Sequence, residues 1–289
     1  MYITISTNDA LTTISGFENY DIHSEKVFAE FENEDYYKNQ LPKIIHTIKS
    51  HIDQATIQGI GIAHTGVVNS DKGIIVDASH TLDYEEHNIV KDLNEEVPNI
   101  PIYLQNDVCC AAIAESYWGQ GKDAKTVGVV YISWGVGSAF IRRINNSFSL
   151  FSAENGHQIV ELNGKTCVCG QRGCLEAYVG AKAIKQRFLI DQHKLDDDRI
   201  WEDLVSYMSI GATNLHTVFE PEVLVLSGKT MTEIDYVKNH LIEKISSQLR
   251  KPYVNTKIVF SEFNEKSPRY GALALLKIKE GGNSITTIE

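Results

Sequence analysis

Short apolar runs alternate with segments of helical period along most of the chain. Tyr2-Ile3-Thr4-Ile5 predicts a strand, Thr7-Asn8-Asp9 a polar turn, and 11–17 a second strand. Leu41, Ile44, Ile45, Ile48 and Ile52 recur at helical spacing and predict a helix over 41–52. An apolar strand over 57–63 ends in a turn at Thr65-Gly66, and another over 102–104 runs into Gln105-Asn106-Asp107. Small residues from Cys109 to about Trp118 then predict a helix. Further on, 126–133 and 223–226 read as buried strands, each followed by a glycine-containing turn, and 271–279 as a closing helix. The run Asp196-Asp197-Asp198 reads as a solvated helix start or loop, and 280–289 as a frayed tail. Strands alternating with helices make this an α/β protein with mixed sheets, and its two halves read as related lobes.

Composition narrows the function. Among 289 residues, 38 acidic side chains face 27 basic ones, for a net charge of -11. That field repels a polyanion, and the only dense basic pairs, Arg142-Arg143 and Arg250-Lys251, are too sparse for a nucleic-acid footprint. Direct nucleic-acid binding by this chain alone is therefore not expected. The first ten residues lack a basic stretch and an apolar core, so they do not read as a signal peptide. No run approaches the roughly 18 apolar residues of a membrane span. Five cysteines are too few for a disulfide scaffold, and three of them cluster at metal-ligand spacing, which points to a reducing cytoplasm.

Three of those cysteines carry chemistry. Cys167-Val168-Cys169-Gly170-Gln171-Arg172-Gly173-Cys174 places three thiols in a stretch whose glycines permit a tight turn around one ion. His157, ten residues before Cys167, completes a tetrahedron. Three thiolates and one imidazole leave no position open for water, so a zinc ion there is expected to be structural. Cys109 and Cys110 sit among Ala and Ile at a helix start and read as core packing.

With their surroundings, these residues resemble the ROK family of bacterial sugar kinases and sugar-responsive repressors. The likeness extends from Gly59 to Ala274, and its signature is Glu154-Asn155-Gly156-His157 followed by Cys-x-Cys-Gly-x-x-Gly-Cys-x-Glu, ending at Glu176. Gln105-Asn106-Asp107, Gly59-Ile60-Gly61-Ile62-Ala63 and Phe219-Glu220-Pro221-Glu222 support it. The resemblance implies a two-lobed, actin-like (ribonuclease H-like) ATPase and sugar kinase fold with a zinc knuckle, a sugar cleft between the lobes, and a homodimer. Residues 1–107, completed by a C-terminal helix over 268–280, would form a small α/β lobe, and 108–267 a larger lobe with the zinc site. It also implies that Asn106, Glu154, His157 and Glu176 hydrogen-bond sugar hydroxyls, His157 with the ring nitrogen that does not bind zinc. Asp107 would be the general base that takes the proton of the attacking hydroxyl. Its own position, after an apolar strand and at a helix start, favours an ionised carboxylate, although alone it reads as an ordinary helix cap.

The phosphate-binding motifs depart from the family pattern. Where ROK kinases carry Asp-x-Gly-Gly-Thr, this chain has Ser6-Thr7-Asn8-Asp9-Ala10. Only Asp9 there could reach a metal. The second loop, Gly-Thr-Gly-x-Gly in the family, reads Ser133-Trp134-Gly135-Val136-Gly137-Ser138-Ala139, with an indole where a small hydroxyl would meet phosphate. The adenosine-side glycine pair has become Ser227-Gly228, and the prolines of the family's Pro-Gly-Pro-Val-Asp turn are lost at Thr65-Gly66-Val67-Val68-Asn69. His64, just before that turn, reads as a solvated loop residue. Two functions stay open on these residues: a sugar-binding sensor or regulator that retains zinc and a monosaccharide site, and a kinase that moves phosphate from ATP and Mg2+ to a hexose or N-acylhexosamine. DNA-binding repression is a poor third, because the chain starts directly on the first strand.

Overall fold

The computed structural model describes residues 1–8, 11–32, 39–51, 53, 56–77, 87–145, 147–190, 198–249, 255–282 and 284–288. The chain divides into two compact units: Met1–Ala114 with Asn146–Phe148 and Lys266–Thr287, and Glu115–Asn145 with Ser149–Glu265 and Ile288–Glu289.

In the first unit the strands β1 (Tyr2–Thr7), β2 (Leu11–Phe17), β3 (Lys26–Glu32), β4 (Gly59–His64) and β7 (Ile102–Asn106) form one sheet, in the order β3-β2-β1-β4-β7. The hairpin strands pair antiparallel, whereas β1, β4 and β7 run parallel. β4 is buried at every position, which is why Gly-Ile-Gly-Ile-Ala-His shows no alternation: a central parallel strand is covered on both faces. The helix α1 (Leu41–His51) buries Ile44 and Ile48 in a core with Ile3, Ile5, Ile60 and Ile62. Ile52, the last residue of the expected helix, lies outside the described residues, as does Asp9. A short ribbon, β5 (Val67–Asn69) and β6 (Ile74–Asp77), and the helix α2 (Ile89–Glu96) lead into β7. The helix α3 (Asp107–Tyr117) follows β7 directly, with Cys109 and Cys110 fully buried.

The second unit repeats the scheme. Its strands β8 (Thr126–Ile132), β9 (Val136–Ile144), β10 (Ser147–Ala153), β11 (Val223–Ser227) and β12 (Lys257–Phe260) lie in the order β12-β11-β8-β9-β10, again a hairpin beside parallel strands. Between β10 and β11 come the short helix α4 (Glu176–Val179), α5 (Ala181–Ile190) and the long α6 (Asp198–Phe219). α6 buries Ile200, Trp201, Leu204, Val205, Met208, Ala212 and Leu215, an apolar stripe at helical period that the unit's core needs. It opens at Asp198, while Asp196 and Asp197 lie outside the described residues. Two more helices, α7 (Lys229–Thr232) and α8 (Asp235–Gln248), link β11 to β12. The closing helix α9 (Ser267–Glu280) belongs to the first unit.

The expected frayed tail is corrected. Ile285–Ile288 is a strand, β13, with Ile285 buried. Gly281-Gly282 ends α9, and the β-branched run Ile-Thr-Thr-Ile then suits an extended backbone. Thr287 accepts a hydrogen bond from Gln105 Nε2 (3.0 Å), and Ser284 O accepts the Phe148 N–H (2.8 Å). No helix among the described residues is long and apolar enough to cross a membrane.

Candidate metal centre and its surroundings

The segment between β10 and α4 folds into a knuckle without regular strands. Its backbone is closed by hydrogen bonds from Cys167 N to Gln171 O (2.8 Å), Gly173 N to Lys165 O (2.8 Å) and Val160 N to Gly173 O (2.8 Å). Gly170 and Gly173 take φ of +86° and +84°, but their needs differ. A Cβ on Gly170 would meet nothing within 4 Å, whereas one on Gly173 would lie 1.8 Å from Glu161 O. Tyr178 anchors the knuckle: its hydroxyl accepts the Lys165 N–H (2.8 Å) while its ring stacks on Tyr207 (4.3 Å), which donates to Glu161 Oε2 (2.8 Å).

The knuckle brings His157, Cys167, Cys169 and Cys174 together, with their ligand atoms all within 4.8 Å of one another. Cys167 Sγ is 3.6 Å from His157 Nδ1, and Cys169 Sγ is 3.7 Å from Cys174 Sγ. A tetrahedral zinc with bonds of about 2.3 Å to sulfur and about 2.0 Å to nitrogen has edges of about 3.8 Å between sulfurs and about 3.5 Å between sulfur and nitrogen. The four residues therefore fit such an ion. Burial raises the Cys167 thiol and pushes that of Cys174 up to about 12. At Cys169 burial is the largest single influence and raises the thiol, but the Gln171 backbone N–H and the neighbouring thiols together outweigh burial and lower it. A bound cation would convert all three to thiolates.

His157 ends the 3-10 turn Asn155–His157, and its N–H bonds Glu154 O (2.9 Å). The turn is tied to α6 through Asn155 Nδ2, which donates to Gly211 O (3.1 Å). With Nδ1 on the thiol side, Nε2 points the other way, 4.0 Å from Glu154 Oε2. Glu154 itself is exposed. Glu176, the first residue of α4, accepts the Val136 N–H on Oε2 (2.9 Å). Gly135 lies so close that a Cβ there would sit 2.8 Å from the same oxygen.

The stretch from Ser133 to Ala139 is largely strand. β8 and β9 pair through Ile132↔Val136, so only Ser133, Trp134 and Gly135 remain to turn the chain, and Gly137 sits inside β9 opposite Tyr131. The turn is closed from within by Ser133 N to Gly135 O (3.0 Å) and from outside by Ala181 N, shared between Ser133 O and Trp134 O (3.1 Å each). At the first of the two loops that depart from the family pattern, Ser6 pairs with Thr13 in the β1–β2 hairpin. Asn8 closes that hairpin, its N–H bonding Leu11 O (3.0 Å) and its Oδ1 accepting the Leu11 N–H (2.8 Å).

Asn106 and Asp107 stand at the carboxyl end of β7. The cap of α3 is Asn106, not Asp107: Asn106 Oδ1 accepts the N–H groups of Val108 and Cys109 (3.0 Å each), and its Nδ2 donates to Gly66 O (2.8 Å). Asp107 is the first helical residue and accepts the Val108 N–H on Oδ1 (2.8 Å). His64 is corrected: it is 1% exposed rather than solvated, with Nδ1 2.6 Å from Thr65 O. Burial lowers its pKa to about 4, so it is neutral. It is the last residue of β4, and strand pairing, invisible in its neighbours along the chain, encloses it.

Two repeated mixed sheets, each a hairpin beside parallel strands, make up the actin-like fold of sugar kinases, here carrying a Cys3His knuckle. The sequence matches the family model of the ROK family over residues 12–279, and the chain belongs to that family. It is 25% identical over 264 residues to the xylose repressor of Bacillus subtilis (strain 168), covering 83% of this chain and 66% of that protein. To the glucokinase of Thermotoga maritima it is 23% identical over 275 residues, covering 84% and 86%. The structure of a ROK family glucokinase from Streptomyces griseus in complex with glucose and AMPPNP aligns with a TM-score of 0.78 at 17% identity, covering 95% of this chain and 98% of that one. The relatives thus include both sugar kinases and repressors.

Proposed function

We propose that this chain is a non-catalytic sugar-binding member of its family, holding a hexose or N-acylhexosamine and a structural zinc but no working ATP site. His157, Cys167, Cys169 and Cys174 hold the zinc, which closes the knuckle and fixes the orientation of the His157 ring. Nε2 of that ring, with the carboxylates of Glu154 and Glu176, serves the sugar hydroxyls. Asn106 has one amide hydrogen beyond its bond to Gly66 for the same task. Asp107 contacts the sugar from the first turn of α3.

The observation that carries the loss of ATP is the three-residue turn at Ser133-Trp134-Gly135. Phosphoryl transfer needs several backbone N–H groups converging on phosphate oxygens, because catalysis there is positioning and charge stabilisation. Here Ser133 N–H bonds Gly135 O and Val136 N–H bonds the Glu176 carboxylate, so both N–H groups are already engaged within the protein. The Asn8 side chain likewise fills the β1–β2 hairpin. These residues do not fit a nucleotide phosphate chain with Mg2+.

A second reading, an ATP-dependent kinase acting on the same sugar, is favoured by Asp107, a carboxylate at a helix start beyond a parallel strand. A coupled assay for ADP release across hexoses and aminosugars separates the two. We expect no sugar-dependent turnover; turnover that disappears in Asp107→Asn would establish the kinase.

A further inference from the structure

Large apolar side chains fill the core of the second unit, yet the Trp134 indole is 49% exposed. Single exposed apolar residues are ordinary on protein surfaces, so exposure alone carries nothing. The position of Trp134 is what gives it meaning. It occupies one of three residues in the turn between Ile132 and Val136. The next residue, Gly135, abuts the Glu176 carboxylate, and Val136 donates to it. The Trp134 carbonyl accepts the Ala181 N–H at 3.1 Å. The turn is thus pinned to Glu176 at one end and to the start of α5 at the other, so its indole is presented from a fixed backbone beside a carboxylate.

A monosaccharide has two kinds of surface. Its edge carries hydroxyls, which carboxylates and imidazole recognise; its ring faces carry C–H bonds, which a flat, electron-rich aromatic ring covers. Glu154, His157 and Glu176 supply only the first. We propose that Trp134 is a sugar-contacting, specificity-determining residue whose indole covers the C–H face of a pyranose held at Glu176 and His157. It favours pyranoses with no axial hydroxyl on the covered face. This inference rests on the sugar-binding reading, and the experiment separates the two failures.

The zinc-loaded full chain is titrated with glucose, mannose, N-acetylglucosamine and N-acetylmannosamine, following tryptophan emission and heat in parallel. The other two indoles differ: Trp201 is 4% exposed and Trp118 half-buried. A binding sugar should change the emission, Trp134→Phe should remove most of that change with affinity held within a few-fold, and Trp134→Ala should weaken binding roughly tenfold. Zinc content and unfolding midpoint should match the unsubstituted chain, and the phenylalanine variant keeps the test open if the alanine variant misfolds. Unchanged affinity in Trp134→Ala, with wild-type binding plain in the heat signal, overturns the role of Trp134 alone. No heat for any sugar with the unsubstituted chain overturns the sugar-binding reading itself.

Discussion

Asn106 Oδ1 accepts two backbone N–H groups at the start of α3, and its Nδ2 reaches across to Gly66. Asn106→Ala removes a helix cap, so its stability should fall by about 1–2 kcal/mol in urea unfolding, before any sugar is added. Asn106→Asp keeps the cap but loses the amide hydrogens, and should recover most of that stability without recovering sugar affinity. At His64 the prediction concerns pH. The unfolded histidine takes up a proton near its ordinary 6.5 and the folded one only near about 4, so acid protonates the unfolded chain first. The contribution of His64 is complete above pH 6.5 and is lost as pH falls toward about 4, a loss on the order of 3 kcal/mol. Urea midpoints at about pH 7 and about pH 5 should differ less in His64→Gln than in the unsubstituted chain. An equal difference would show that His64 is not buried neutral. Its burial was not legible in the sequence, because the strands that flank it, β1 at Thr7 and β7 at Asn106, are remote from it along the chain.

At the scale of elements, the knuckle was the most legible part. Thiol spacing and paired glycines mark it, because metal geometry confines ligands to a short stretch of chain. What spacing does not reveal is that the two glycines are unequal. Gly170→Ala should cost about 1–2 kcal/mol for its left-handed backbone and leave metal content unchanged. Gly173→Ala drives a Cβ into Glu161 O and should lose the metal, as measured by atomic absorption of purified protein. If both variants hold a full equivalent of metal, the packing account of Gly173 fails. The hairpin of β8 and β9 was less legible, since glycines at 135 and 137 read equally as a loop or a strand end until pairing assigns Gly137 to β9. β13 was missed for a related reason: four residues after a glycine pair show no period.

Across the whole molecule, the repeated sheets belong to a family whose members include a glucokinase and a xylose repressor. The turn at Ser133–Gly135 and the hairpin at Asn8–Leu11 are each held by their own hydrogen bonds, and in the proposed reading Glu154, His157 and Glu176 serve the sugar beside the knuckle. The zinc should accordingly matter to sugar binding and not just to stability. Cys169→Ser, or a chelator, should abolish sugar heat along with bound metal. The central claim is tested most directly by calorimetry of the zinc-loaded chain against the sugar panel and, separately, against ATP with Mg2+. The account predicts saturable heat with at least one hexose or N-acylhexosamine and none with the nucleotide. Saturable nucleotide binding that strengthens when sugar is present would contradict it.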